Sequence, residues 1–319
     1  MSEAGVWRRV LPVGAVAAVT VTLAGLLASC ATTAPTGGGP AGQPSGNTKI
    51  AVVAAENFWG SIATQLGGVH VAVRSIVASP DADPHDYEPT PADGRALATA
   101  QYVIANGAGY DPWVAKVVSA NPAPARWVLT VGDLVGVKKG GNPHRWYSPN
   151  DVHQVIERIA ADYKRIDPAD AGYFDQQKQD YETRGLARYN QLIADIKSKY
   201  SGTPIGASES IVTPLAEDLR LKMATPEPFL DAVSQGTDPT AADKITVDQQ
   251  IKTKQIKVFV FNRQNSTPDV AALVTATKDQ DIPVATVTET LVPATASFQD
   301  WQVGQLEGIE QALSKAAAR

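Results

Sequence analysis

The chain has 319 residues, a formal net charge of -5 and one cysteine. This mildly acidic balance argues against nucleic acid as a partner and against a body that lies on an anionic membrane surface. A single cysteine cannot close a disulfide within the chain, so packing of a hydrophobic core must hold the fold together.

The N-terminus has the pattern of a secretory signal. Two arginines precede an apolar run over 10–27, which meets small residues and then Cys30. This ending resembles a lipoprotein signal, so we predict a signal peptide at 1–29 and lipidation of Cys30. An uncleaved anchor helix is the alternative. The paired arginines leave the export route open between the general secretory and the twin-arginine pathways.

The segment after the cysteine is rich in Pro, Gly, Thr and Ser and has no large apolar residue that could form a core. Such a composition predicts a flexible tether over 30–48. No later apolar run is long enough to cross a bilayer. We therefore predict an extracytoplasmic protein that a lipid anchors to the bacterial cell membrane.

Short β-branched runs alternate with helical stretches over 49–166, which is typical of a parallel sheet with crossover helices. We predict strands at 49–54, 69–77, 102–105 and 127–131. Helices are predicted at 57–66, from 91, at 112–119 and at 151–163. Thr90 and Asn150 are the expected caps of the second and fourth of these helices.

A long helical pattern follows from Asp167-Pro168 to Tyr200, and only Gly185 interrupts it. About thirty residues at 1.5 Å each make a rod of roughly 45 to 50 Å. We predict that this helix, at 167–201, joins a first lobe at 49–166 to a second lobe at 202–319.

The alternation resumes in the second lobe. Strands are predicted near 205 and at 221–223, 257–261 and 284–287. Helices are predicted at 213–219, 241–254, 268–280 and 298–315. The fold class is therefore α/β, with two sandwich lobes of mostly parallel strands joined by one long helix.

Four polar residues follow strands of the two lobes, where ligands collect in such sheets. His85 and His144 each follow a proline, which restrains the loop, and Glu209 and Glu289 follow strands of the second lobe. Each also has a structural interpretation. The histidines could bond to the backbone, Glu209 could cap the next helix, and Glu289 could be a solvated loop acid.

The other two histidines are predicted to be structural, His70 in a strand and His153 on a polar helix face. The sequence GAGYD at 107–111 matches a dinucleotide-binding turn poorly, because a proline stands where the third glycine is needed. We interpret it as a tight turn that shapes the wall of a cleft.

Three motifs carry a resemblance to a known family: DPHDYEPTPAD at 83–93, NGAGYDPW at 106–113 and NPHRWYSP at 142–149. The chain resembles the metal-binding solute-binding proteins of ABC importers, the zinc and manganese receptors of cluster A-I. The resemblance implies two lobes joined by one rigid helix, with a metal site in the cleft between them. The implied ligands are His85, His144, Glu209 and Glu289.

The resemblance also implies the cargo and the partners. The cargo is one divalent transition-metal ion, Mn²⁺ or Zn²⁺, and the partners are an ABC permease and its ATPase. We expect the receptor to be a monomer. Two departures from the family pattern matter: Glu289 stands where an aspartate is usual, and the His-rich loop of zinc receptors is replaced by 135–141. The second departure, together with a glutamate as third ligand, favours manganese.

Two other functions stay open. A metal-dependent hydrolase would have an open His-His-Glu site with Glu289 as general base, and a receptor of the same fold could bind an organic or haem-like ligand. No H-E-x-x-H, G-x-S-x-G or P-loop pattern is present. Four closing ligands leave no position for an attacking water, so we predict that the chain is not an enzyme.

Overall fold

The structure is a computed structural model that describes residues 49–80 and 87–319. The predicted signal peptide at 1–29, the lipidated Cys30 and the tether up to residue 48 lie outside the described residues. So does His85, together with the rest of 81–86. These predictions therefore stay predictions.

Four parallel strands form the first sheet, in the order β2-β1-β3-β4. They are β1 (Ile50–Glu56), β2 (Val71–Val77), β3 (Tyr102–Ala105) and β4 (Trp127–Thr130). The accompanying helices are α1 (Asn57–Gly67), α2 (Pro91–Thr99), α3 (Pro112–Ala120), α4 (Val131–Leu134) and α5 (Pro149–Ile166). Each predicted strand of this half is present, because short β-branched runs between helices form parallel sheets.

The connection to the second sheet is helical, and its α-helix is interrupted at Gly185, as the sequence predicts. It begins with a 3-10 turn, Pro168–Asp170, and continues as α6 (Ala171–Asp180) and α7 (Ala187–Tyr200). A π-helical turn, Tyr181–Gly185, separates the two helices. A Cβ atom at Gly185 would lie 2.7 Å from the ring of Tyr181, so only glycine lets that ring pack against the turn.

The second sheet repeats the first, with four parallel strands in the order β6-β5-β7-β8. They are β5 (Pro204–Ala207), β6 (Lys222–Met223), β7 (Val258–Asn262) and β8 (Val284–Val287). Its helices are α8 (Thr213–Asp218), α9 (Glu227–Ser234), α10 (Ala241–Lys252), α11 (Pro268–Asp279) and α12 (Phe298–Ala317). The predicted α/β fold class with two parallel sheets is confirmed. Helices α4 and α9 were not predicted.

Two local predictions are wrong and one is confirmed. His70 ends a 3-10 turn, Gly68–His70, rather than lying in a strand, because Gly68 at φ 50 redirects the chain before β2. Ser148, not Asn150, caps α5, since its hydroxyl accepts a hydrogen bond from Asp151 N. Thr90 caps α2 as predicted and forms a capping box with Asp93.

One continuous cluster of buried apolar side chains runs through both sheets and the helices between them. Its members include residues of β1, α1, α5, α7, β5, β7 and α12, for example Val52, Trp59, Ile156, Leu192, Ile205, Phe259 and Leu306. A smaller cluster around Val53, Val103 and Trp113 lies on the first sheet. All described residues belong to one compact unit, Gly46–Arg319. Within them, no helix combines the length and the apolar character that a membrane span requires.

Candidate metal centre

Loops at the carboxyl ends of the two sheets contact each other. Tyr110, which follows β3, donates from its hydroxyl to Glu289 Oε2 at 2.8 Å, although Glu289 follows β8 of the other sheet. Asn142 Nδ2 donates to Ser210 O at 2.7 Å across the same boundary. The strand ends at which ligands collect in α/β sheets therefore meet here.

His144 is fully buried, with an exposed fraction of 0%. Its Nδ1 lies 2.9 Å from Asn142 Oδ1. The amide nitrogen of Asn142 donates to Ser210 O, so the amide oxygen is the atom that faces the ring. Because that oxygen can only accept, Nδ1 carries the hydrogen and Nε2 carries the lone pair that a metal would bind.

The loop before His144 is fixed from the first sheet. Asn106, directly after β3, donates from Nδ2 to Pro143 O at 2.9 Å. The amide oxygen of Asn106 accepts a hydrogen bond from Trp59 Nε1 at 3.0 Å. The imidazole also packs against Trp146, with ring centroids 5.3 Å apart. The ring is therefore oriented before any ligand arrives.

Two buried carboxylates of the second half meet at one amide group. Glu209, after β5, is 1% exposed and Glu289 is 3% exposed. Asn262 is the last residue of β7, the strand between β5 and β8 in the sheet. Its Nδ2 donates to Oε1 of Glu289 at 2.9 Å and to Oε1 of Glu209 at shorter range.

Neutral donors hold the outer oxygens of these carboxylates. Asn265 Nδ2 donates to Glu209 Oε2 at 2.8 Å, and Ser234 Oγ lies 3.4 Å from the same atom. Glu209 makes no cap hydrogen bond to the turn that follows it. Glu289 is buried and accepts from Tyr110 and Asn262. The capping interpretation of Glu209 and the solvated-acid interpretation of Glu289 are therefore wrong.

Gln264 ties the backbone around Glu289 to the loop that leaves β2. Its Oε1 accepts from Glu289 N at 2.6 Å and from Thr290 N at 3.0 Å. Its Nε2 donates to Pro80 O at 2.6 Å. Pro80 is the last described residue before 81–86, the segment that contains His85.

Tyr147 contacts the backbone directly after β8. Its hydroxyl lies 2.6 Å from Gln305 Oε1 and 2.8 Å from Thr288 O, two acceptors that share its single hydrogen. Burial raises the pKa of Tyr147 well above its usual value, and the charges of Glu289 and Glu209 raise it further. Tyr147 therefore stays a neutral donor.

A second acid pair lies under the turn that carries Tyr110. Asp111 accepts from Asn106 N and from Gly107 N, both at 2.7 Å, and so closes the turn. Gly107 adopts φ 73 there. This agrees with the tight turn predicted for GAGYD. The side chain of Glu56, the last residue of β1, is buried against Asp111.

The chemistry of this pair follows from its burial. Burial raises the pKa of Glu56 well above its usual value, and the charge of Asp111 and a hydrogen bond to it raise it further. Burial also raises the pKa of Asp111, although hydrogen bonds from Gly107 and Asn106 oppose the shift. Because a charged Glu56 would be desolvated and repelled by Asp111, the raised pKa favours the protonated form of Glu56.

The structure thus gathers Glu209 and Glu289 around Asn262, and His144 adjoins them through Tyr110, whose ring centroid is 6.0 Å from the imidazole centroid. Sequence reasoning missed Asn262, Tyr110, Glu56 and Asp111 as members of this region. Two of them, Asn262 and Glu56, are polar residues at the carboxyl end of a strand. That signal was available in the sequence.

Comparisons with known proteins identify relatives of this chain. The chain is 29% identical over 185 residues to the iron-binding protein YfeA of Yersinia pestis, a match that spans 54% of this chain and 58% of YfeA. It is 25% identical over 256 residues to the metal ABC transporter substrate-binding lipoprotein ScbA of Streptococcus cristatus, which covers 75% of this chain and 79% of ScbA.

Solved structures share the fold. The Mn-bound periplasmic metal binding protein from Candidatus Liberibacter asiaticus matches with a TM-score of 0.67 at 19% identity, covering 82% of this chain and 98% of that one. The protein FpvC from Pseudomonas aeruginosa, solved with Mn²⁺, matches with a TM-score of 0.67 at 17% identity, covering 83% and 98%. Residues 52–312 match the family model described as ZnuA, zinc-uptake complex component A, periplasmic. The chain therefore belongs to the ZnuA family.

Proposed function

We propose that this chain is the extracytoplasmic receptor of an ABC importer and that its cargo is one divalent transition-metal ion, Mn²⁺ or Zn²⁺. Membership of the family supports the receptor role. The observation that carries the metal is the pair of buried carboxylates, Glu209 and Glu289, which one amide of Asn262 holds together.

The proposed ligands are His85, His144, Glu209 and Glu289. Two neutral imidazoles and two carboxylates carry a charge that one divalent cation neutralises. Burying two carboxylates without a cation destabilises the folded protein because the charges lose their hydration. Binding of the ion offsets this loss and therefore stabilises the fold. This mixed set of nitrogen and oxygen ligands suits manganese or zinc. The affinity of a given site is generally higher for Zn²⁺ than for Mn²⁺.

Capture and delivery follow from this ligand set. His144 binds through Nε2, because Nδ1 donates to Asn142. Protons compete for the same lone pairs, so metal binding weakens as the pH falls. A lipid on Cys30 would keep the receptor at the membrane, where a permease and its ATPase take the ion. The receptor acts by binding and release, without catalysis.

The two alternative functions gain no support from the relatives, which are named as metal-binding or metal-transport proteins. A hydrolase would need Glu289 as a general base beside a water. In this site both oxygens of Glu289 accept hydrogen bonds, from Tyr110 and from Asn262. Esterase and peptidase assays of the metal-loaded protein would detect such an activity.

Substitution of ligands tests the proposal. We expect His144→Ala, and equally His85→Ala, to weaken Mn²⁺ and Zn²⁺ binding by more than about 100-fold, because a lost ligand exceeds the 10–100-fold effect of an outer partner. Competition with a chelator on metal-stripped protein measures the affinity. Glu209→Gln, which preserves shape, should also bind weakly.

His153→Ala is the matched control, since His153 lies on α5 and is partly exposed. It should bind both metals as the wild type does. Wild-type affinity in His144→Ala and Glu209→Gln would refute the proposed ligand set. The ratio of the Mn²⁺ and Zn²⁺ affinities of the wild type bears on which ion is the cargo.

A further inference from the structure

A second group of metal-ligating side chains lies where α5 ends and the helical connection begins. It consists of His70, Asp167 and Asp170, each of intermediate burial. One ligand atom from each residue lies within 4.8 Å of those of the other two. None of the three belongs to the candidate metal centre.

The backbone explains why the two carboxylates face the same way. Asp167 and Asp170 flank the 3-10 turn Pro168–Asp170, and Asp170 N donates to Asp167 O at 3.3 Å. In a 3-10 turn, side chains three residues apart lie on the same side. Both carboxylates are therefore presented to His70, which ends another 3-10 turn directly before β2.

The imidazole of His70 is held in place by α6. Its ring centroid lies 4.4 Å from that of Tyr173 and 5.9 Å from that of Phe174. The Tyr173 hydroxyl accepts a hydrogen bond from Val69 N at 3.2 Å, which fixes the backbone beside the histidine. His70 Nδ1 lies 2.6 Å from Asp170 Oδ2. The ligand atoms are thus positioned by packing rather than by long mobile side chains.

We propose that His70, Asp167 and Asp170 bind a second divalent transition-metal ion of the zinc class, with water completing the coordination. Imidazole nitrogen, carboxylate oxygen and water are all ligands that zinc binds, and three protein ligands with one water complete a tetrahedral site. With bonds of about 2.0 to 2.1 Å, ligand atoms of such a site lie about 3.3 Å apart. His70 Nδ1 and Asp170 Oδ2 must therefore move apart by less than about 1 Å.

Binding at this second site places the ion between His70 Nδ1 and Asp170 Oδ2, with the hydrogen of the neutral imidazole on Nε2, and the two carboxylates offset the charge of the ion. The ion would link the turn before β2 to the start of the helical connection. Because the three side chains are only partly buried, water competes for the ion, and binding is weaker than at the candidate metal centre. This site is independent of the proposed ligand set.

The number of zinc ions per chain tests the second site. Metal-stripped wild-type protein, dialysed against Zn²⁺ and analysed for metal, should retain two ions per chain. His70→Gln and Asp167→Asn should each retain one. Asp167→Asn is informative because the His70–Asp170 contact does not involve residue 167, so the variant removes a ligand without breaking that pair. His153→Gln, the control, should retain two.

A second measurement separates the two sites. In a His144→Ala background, Zn²⁺ should still raise the unfolding temperature, and the added change His70→Gln should remove that rise. One zinc ion per wild-type chain would overturn the second site. So would a second ion that persists in both His70→Gln and Asp167→Asn. Either result leaves the proposal for the candidate metal centre unaffected.

Discussion

Each half of the molecule buries two carboxyl groups where its strands end, but the two pairs are built differently. In the first half, Glu56 is buried directly against Asp111. In the second half, Asn262 stands between Glu209 and Glu289 and donates to both. The difference is that an asparagine amide separates the two acids of the second half, whereas the two acids of the first half adjoin each other directly.

This difference determines what each pair can do. Burial raises the pKa of Glu56, and the charge of Asp111 beside it raises it further, so this pair favours a protonated member. An amide supplies both hydrogens itself, so neither Glu209 nor Glu289 needs a proton to be satisfied. The first pair therefore holds a turn together, and the second pair is prepared for a cation. Breaking either pair tests this comparison.

The largest effect is expected from Asn262→Ala, which removes the shared donor. The two carboxylates lose their common orientation, and metal affinity should fall by about 10–100-fold, the range typical of a lost outer partner. Titration with Mn²⁺ and Zn²⁺ measures the change. Asn190→Ala, at a partly exposed asparagine of α7, is the control. Equal affinities in both variants would show that the bridge does not matter.

A smaller effect is expected from Tyr110→Phe. The variant keeps the ring against Trp146 but removes the donor to Glu289 Oε2. Because Glu289 keeps its hydrogen bond from Asn262, metal affinity should fall by no more than about 10-fold, the low end of the range for a lost outer partner. Tyr189→Phe, at a buried tyrosine packed on Phe298, should not change it. An affinity loss as large as that of a ligand variant would contradict a purely orienting role.

The smallest effect is expected from Glu56→Gln. The glutamine side chain can still donate a hydrogen bond to Asp111, but it has no carboxyl group that gains or loses a proton. Because the pKa of Glu56 is raised in the folded protein, there is a pH window above the ordinary glutamate pKa in which folded Glu56 keeps its proton and the unfolded chain has released it. This group therefore lowers the wild-type free energy of unfolding as the pH rises through that window. We expect the variant to match the wild type near about pH 4 and to be more stable near about pH 8.

Urea unfolding at both pH values measures this difference. A stability difference that does not change with pH would contradict a protonated Glu56. Asp111→Asn is the contrasting variant. Asp111 accepts from two backbone N–H groups with two oxygens, and asparagine offers one. That variant should therefore be destabilised at every pH by about 1–3 kcal/mol.

Most of the fold was accessible from the sequence because its signals are local. Short apolar runs between helices, most of them β-branched, predicted each strand of the described residues, with bounds that differ by no more than a few residues. The cap of α5 was misassigned although the signal was present. Proline is favoured in the first position of a helix, so Pro149 indicates Ser148 rather than Asn150 as the cap.

The site was less accessible because half of it depends on distant contacts. Glu209, Glu289 and His144 were proposed as ligands because they follow strands and because the family resemblance implies them. Asn262 occupies such an end as well, but the predicted strand stops one residue before it. The role of Tyr110 could not be predicted, since its partner lies 179 positions away and the contact depends on how the two sheets pack.

The continuous apolar cluster through both sheets has a consequence for how the molecule melts. The larger of the two apolar clusters is shared by both sheets, so loosening one sheet exposes side chains on which the other relies. Disruption in either half must then spread to the whole, which is the condition for all-or-none unfolding. A tightly held ion at the junction would protect every element at once, by about 4 kcal/mol at a thousandfold excess over its dissociation constant.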